Sequence, residues 1–205
     1  MARRTLGEGK NVLRFMTGLA RGMALTGGLV LVVLVILTCV SVVGRGLSTL
    51  GHSDFLQGMS QSLADLILAT GTGPVNGDFE IVEAGIAFTI FSFLPICQLF
   101  GAHATVDVFT SFLSRRTNAF IITFWEIVFT GIVLLITWRL FYGLEDKFGN
   151  GETSLLLQFP IWWAYLAAFI AALVAAIVAV YCAVGRVMEL TTDQRWLPRS
   201  EGAAH

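Results

Sequence analysis

The chain has 205 residues, of which 56% are hydrophobic and only 13% charged, about half the charged share of a soluble domain. The net charge of −1 provides no basic field for nucleic acid. The charges are missing from particular windows rather than thinned evenly, which argues against a soluble core and for membrane spans.

Met1–Arg21 is polar and basic, with Arg3, Arg4, Lys10, Arg14 and Arg21 against Glu8. The first ten residues are expected to fray. Val12–Leu19 is expected to form a short interfacial helix with Val12, Phe15, Met16 and Leu19 on one face. Gly22–Gly44 follows, 23 residues without a charge. A spanning helix needs roughly 20 apolar residues, so residues 22–44 are the first predicted span, ended by Arg45. The run is too long for a signal-peptide core and has no small-residue cleavage site after it. Gly18, Gly22 and Gly27–Gly28 offer a small-residue face for close helix contact.

Residues 46–78 form an extramembrane segment holding His52, Asp54, Asp65 and Asp78, with Arg and Lys absent. Ser53 is placed to cap a helix over Asp54–Ala69. Its stripe of Phe55, Met59, Leu63, Leu66 and Ile67 is apolar but its other face is too polar to span. Gly71–Gly77, GTGPVNG, reads as a turn.

The second span is predicted over 81–100. Glu80 and Glu83 stand at its start, and Ala84–Ala102 contains 19 residues without a charge. Pro95 lies inside it, where neighbouring helices in a membrane can accommodate the lost hydrogen bond. Gly101–Asn118 is a short connection. Within it, Val106, Phe109, Phe112 and Leu113 are spaced for an amphipathic helix along the membrane, and Arg115 and Arg116 follow.

The third span is predicted over 119–142, with Glu126 inside it and Arg139 near its far end. Gly143–Phe159 reads as a polar loop with Glu145, Asp146, Lys147 and Glu152. Pro160 then opens the fourth span, 160–185, since proline suits a first helical turn. Trp162, Trp163 and Tyr165 crowd that end like an interfacial aromatic belt, and Trp138 with Tyr142 marks the matching end of the third span. Residues 186–205 are a polar tail.

The fold class is therefore all-α integral membrane: four transmembrane helices with short interfacial amphipathic helices in one membrane domain. Ten of the Lys and Arg residues fall on the side of the N-terminus, the Gly101–Asn118 connection and the tail, and three (Arg45, Arg139, Lys147) fall on the other. The positive-inside rule then places both termini in the cytoplasm. Internal repeats are not evident, which argues against an inverted-repeat carrier complete in one chain.

The polar groups within or beside the spans are the candidate functional residues, because ionisable side chains in a bilayer are costly. Glu126 lies about 12 Å from the near end of its span at 1.5 Å per residue. It reads either as a proton or cation site or as a buried polar anchor between helices. Arg139 is about 20 Å farther along and cannot reach it. Antiparallel spans would put Arg139 at the depth of Glu80 and Glu83, which predicts a Glu83–Arg139 or Glu80–Arg139 contact. His103 and Asp107, four apart, supply too few ligands for a metal. Haem would require histidines inside spans. Cys39, Cys97 and Cys182 lie in separate apolar segments and read as small buried hydrophobes. With no nucleophile–base pair and no phosphate-cradling loop, neither enzymatic activity nor a cofactor is expected.

Several local patterns, in order, resemble one family. They are VVGR at Val42–Arg45, GDFEIVEAG at Gly77–Gly85, FLPICQ at Phe93–Gln98, HATVDVF at His103–Phe109 and GETSLLLQFPIWWAY at Gly151–Tyr165. The pattern resembles the small membrane subunit (DctQ type) of TRAP, or tripartite ATP-independent periplasmic, transporters. The resemblance implies a non-catalytic small permease in the bacterial inner membrane. Its expected partners are an obligate large membrane subunit, which carries the substrate and ion sites, and a periplasmic substrate-binding protein. It implies ion-gradient-driven uptake of a small organic solute, commonly an organic acid, with this chain bracing the large subunit. Glu80, Glu83, Glu126, Arg139, His103, Asp107, Trp162 and Trp163 then become candidate structural or partner contacts. The alternatives are a self-contained four-helix exporter or channel using Glu126, and a membrane anchor for another complex.

Overall fold

The computed structural model describes residues 2–53, 58, 73, 75–101 and 115–192. These residues form four helices: α1 (Ala2–Gly51), α2 (Asp78–Phe100), α3 (Arg115–Asn150) and α4 (Trp162–Thr192). All four are long and apolar enough to cross a membrane. This is the all-helical, four-span class expected. The amphipathic segments expected over 54–69 and 106–113 lie, apart from Gly58, outside the described residues.

The helices outrun the predicted spans because a charge marks where a helix leaves the bilayer, not where its hydrogen bonding stops. α1 passes through both Val12–Leu19 and Arg45 without a break, correcting the separate interfacial helix. Leu13, Met16 and Leu19 pack onto the buried cluster of Ala20, Leu99, Val178 and Cys182. α3 continues eight residues past Tyr142 to Asn150, correcting the polar loop that was to begin at Gly143. It ends where Gly151 takes φ 61°, a left-handed conformation that terminates helices. α4 runs seven residues past Gly185, so the expected tail begins as helix.

α2 is bounded by two glycines in the left-handed region, Gly77 (φ 76°) and Gly101 (φ 60°). The Gly101 N–H closes onto the Cys97 and Gln98 carbonyls, a glycine C-terminal closure. Pro95 is buried within this helix. Pro160, predicted as the first turn of α4, instead pairs with Thr153 in an isolated antiparallel bridge. The Ser154 N–H donates to the Phe159 carbonyl and the Ile161 N–H to the Glu152 carbonyl, both at 3.0 Å. The connection is thus a tight turn, and the helix starts only at Trp162.

The packing order is α1–α2–α4–α3. α2 lies against α1 and α4, α4 lies against α2 and α3, and α1 touches α4 more lightly. Two antiparallel seams flank the α2–α4 contact, and the first steps seven residues at a time. In the α1–α2 seam, Ala20 and Leu99 share a cluster. Next, Gly27 meets Ser92 and Leu34 meets Gly85, and the seam closes where Ser41 meets Asp78. In the α3–α4 seam, the Thr130 and Thr137 hydroxyls each donate to the carbonyl four residues back on α3. They also reach the α4 carbonyls of Ala179 and Ala172, at 3.2 and 3.3 Å. Farther along, Phe141 meets Phe169 and Phe148 meets Trp162.

Small residues make both seams possible. α4 buries Ala168, Ala171, Ala172, Ala175, Ala176 and Ala179. In lipid there is no hydrophobic force between helices, so close backbone approach and interhelical hydrogen bonds hold them. Gly27 shows the closeness: a Cβ there would fall 2.6 Å from the Ser92 Cβ. Gly18 and Gly22 of the same predicted small face have open space beside them.

Candidate functional site

The contacts that carboxylate side chains make between elements lie at two places. One is the end that carries the 151–161 turn. Asp78 and Glu80 lie in the first turn of α2, where negative charge complements the helix dipole. The Ser41 hydroxyl of α1 donates to Asp78 Oδ2, and Arg45 Nη2 approaches the same oxygen at 3.6 Å. The Val75 N–H donates to the Ser41 oxygen at 3.3 Å and the Phe79 N–H to Asp78 Oδ1 at 2.8 Å. This cluster clamps the ends of α1 and α2.

Beside it, the Glu80 carboxylate takes the 151–161 turn. The Leu156 N–H donates to Oε1 at 2.7 Å and the Leu157 N–H to Oε2 at 3.0 Å. Leu157 lies directly over Gly77, where any Cβ would strike it. Glycine is required there twice over, by its φ of 76° and by this contact. An ion pair between Lys147 and Glu152 joins the end of α3 to the base of the turn.

The second place lies toward the Gly101 end. Gln98, buried on α2, donates from Nε2 to Glu126 Oε1 of α3 at 2.5 Å. Arg186 of α4 is within electrostatic reach of Glu126, while its Nη1 donates to Glu189 Oε2 at 3.1 Å. Three helices therefore meet around one carboxylate. The Gln98 bond joins α2 to α3 at this carboxylate.

The predicted contact of Arg139 with Glu80 or Glu83 does not form. α2 and α3 are not side by side along their length, because α4 packs between them. Glu80 is engaged by the 151–161 turn instead. Glu83 and Arg139 are exposed, and neither has an ion-pair partner among the described residues. The aromatic belt is also redrawn. Trp162 meets Phe148 at 5.3 Å and Trp163 at 6.1 Å, whereas Trp138 pairs with Tyr142 on α3 itself at 5.6 Å. His103 and Asp107 lie outside the described residues.

Sequence reasoning missed Gln98, Ser41, Asp78 and Arg186. Ser41 carried a readable signal, because it completes the seven-residue spacing Ala20, Gly27, Leu34, Ser41. Gln98 carried one as well, as an amide in an otherwise apolar run. Its partner could be found only from the helix arrangement.

The fully buried polar residues among those described are each engaged in such a contact or in a bond back to their own helix, whereas the Ser154 Oγ and Arg186 Nε atoms are buried without a hydrogen-bond partner. Ser41, Thr89, Ser92, Gln98, Thr123, Thr130 and Thr137 are all accounted for. The family comparison agrees with this picture of a membrane subunit. A family model described as "Tripartite ATP-independent periplasmic transporters, DctQ component" matches residues 34–189. The match takes in about the last third of α1, all of α2 and α3, and nearly all of α4. No curated protein and no solved structure matches the chain. A four-helix membrane protein whose family match covers most of its length is thereby placed: the chain belongs to the DctQ family, the small membrane component of TRAP transporters.

Proposed function

We propose that this subunit is a non-catalytic brace for a large TRAP membrane subunit in the bacterial inner membrane. The large subunit carries out ion-gradient-driven uptake of a small organic solute, an organic acid by family preference. A periplasmic binding protein delivers that solute. The observation that carries this reading is how the buried polar groups are spent. Ser41, Gln98, Thr130 and Thr137 each reach a second helix, while Thr89, Ser92 and Thr123 bond back to their own; a scaffold needs such ties more than it needs a substrate path. Both termini lie in the cytoplasm by the distribution of Lys and Arg, which puts the 151–161 turn on the periplasmic side.

The brace has a free face for its partner. Along α1, Gly18, Gly22, Leu25, Leu29, Val32 and Ile36 form one exposed stripe, with Leu25 75% and Leu29 70% accessible. Such a stripe suits a large apolar neighbour, with the glycines allowing the closest approach.

Co-purification tests the reading. The chain should come out of mild detergent in a one-to-one complex with a much larger polytopic protein. Transport in liposomes should require both proteins and the binding protein. Transport by this chain alone, lost in Glu126→Gln, would establish the exporter reading instead.

A further inference from the structure

We propose that the Ser154–Leu157 turn is a lipid-seated wedge, whose leucines enter the boundary between headgroups and acyl chains. Leu155 is 92% exposed and Leu156 is 71% exposed. A single exposed leucine needs no explanation. Two consecutive ones on a rigidly held turn do.

The turn is held on three sides. The Thr153–Pro160 bridge closes its base. Glu80 binds the Leu156 and Leu157 amides. Leu157 is seated on Gly77 at the start of α2. The leucines therefore point outward by construction.

The Glu80 contact bears on what covers them. In a water-poor layer, unsatisfied backbone donors are expensive. Here the Ser154 amide goes to the Phe159 carbonyl and the Leu156 and Leu157 amides go to Glu80. Those donors are satisfied without water. They are also unavailable to a protein partner, and protein interfaces draw on about one hydrogen bond per 100–200 Å². The leucines carry no polar handle of their own.

The surroundings point to lipid as well. Phe79, Phe148 and Trp163 are exposed at the same end. Together they form the kind of aromatic rim found at a membrane–water interface. The wedge adjoins the apolar helix surface and extends it. The Ser154–Phe159 stretch has no charged residue, so its seating is independent of anionic headgroups.

Spin labels placed on the full chain test this. The background is Cys39→Ala, Cys97→Ala and Cys182→Ala, with single Leu155→Cys, Leu156→Cys or Glu152→Cys labels. Samples are native membranes of the expressing cell and phosphatidylcholine nanodiscs. At 155 and 156, collisions with oxygen should exceed collisions with a water-soluble nickel chelate. The oxygen-to-nickel ratio should be several-fold above that at 152. Adding Glu80→Ala should raise label mobility at 155 and remove that gradient. A nickel-favouring ratio at 155 and 156 overturns the proposal, because the tip is then in water. Inaccessibility to both reagents overturns it too, because a protein then covers the tip. A gradient unaffected by Glu80→Ala refutes the role given to that carboxylate. These labels read depth alone, so the outcome does not depend on the brace function.

Discussion

Gly27→Ala tests whether the α1–α2 seam depends on close approach. The added Cβ would stand 2.6 Å from the Ser92 Cβ and 3.4 Å from its Oγ. Carbon atoms settle about 3.5–4.0 Å apart, so the helices must part locally by about 1 Å. The Ser92 Cβ is fixed to its backbone and cannot swing aside. Overpacking of this kind costs about 1–3 kcal/mol, and the better helix propensity of alanine returns at most about 1 kcal/mol. The expected net loss is about 1–2 kcal/mol, or roughly 5- to 30-fold in the folding equilibrium. Ser92→Gly makes room for the new methyl, so the double variant should recover about 1–2 kcal/mol relative to additivity. The assay is unfolding of the full chain in mixed micelles as the dodecyl sulfate fraction rises, followed by far-ultraviolet circular dichroism. If Gly27→Ala matches the parent in stability, or the two substitutions simply add, the seam is not where the structure puts it.

Thr137→Val keeps the shape but removes the hydroxyl that reaches the Ala172 carbonyl at 3.3 Å. It should cost about 0.6 kcal/mol, typical of an interhelical hydrogen bond in a membrane protein, by the same unfolding assay. Glu126→Gln keeps an acceptor for Gln98 and should leave stability and complex formation near the parent. Glu126→Leu removes that acceptor and should lose about 1–3 kcal/mol; equal effects of the two would argue against the Gln98 contact. A charge-reversal cycle between Glu83 and Arg139 should show no coupling in stability, since the two form no ion pair among the described residues. Glu80→Ala should speed hydrogen exchange at the Leu156 and Leu157 amides, read by mass spectrometry, while amides in the middle of α4 keep their protection.

Much of the architecture is legible in composition. Charge-free windows identify four spans because the bilayer core excludes charge over a fixed thickness. The family is legible too, from the order of loose motifs between Val42 and Tyr165, and the family match bears it out. Helix ends are less legible. Arg45 and Gly143 looked like boundaries because polarity changes there, but hydrogen bonding ignores polarity until a glycine such as Gly151 turns the chain. Pro160 was misplaced for a related reason: proline suits both a first helical turn and the bridged turn it occupies.

The candidate contacts divide in the same way. That Glu80, Glu126 and Trp162 needed partners followed from the sequence, since charge and amphipathic rings at or in a membrane are not left idle. Which partners they have depended on neighbour order, and that order is decided by side-chain packing across helices. Because α4, with its stripe of alanines, inserts between α2 and α3, Arg139 is kept from Glu80 and Glu83. The same insertion leaves Glu80 to the turn that precedes α4. Glu126 reaches Gln98 across the bundle only because those alanines let three helices approach closely. The sequence by itself determined a four-span DctQ membrane subunit, because burial in lipid is written residue by residue. The tertiary structure alone decided its contacts, because hydrogen-bond partners far apart in the chain are chosen by which helices can come close.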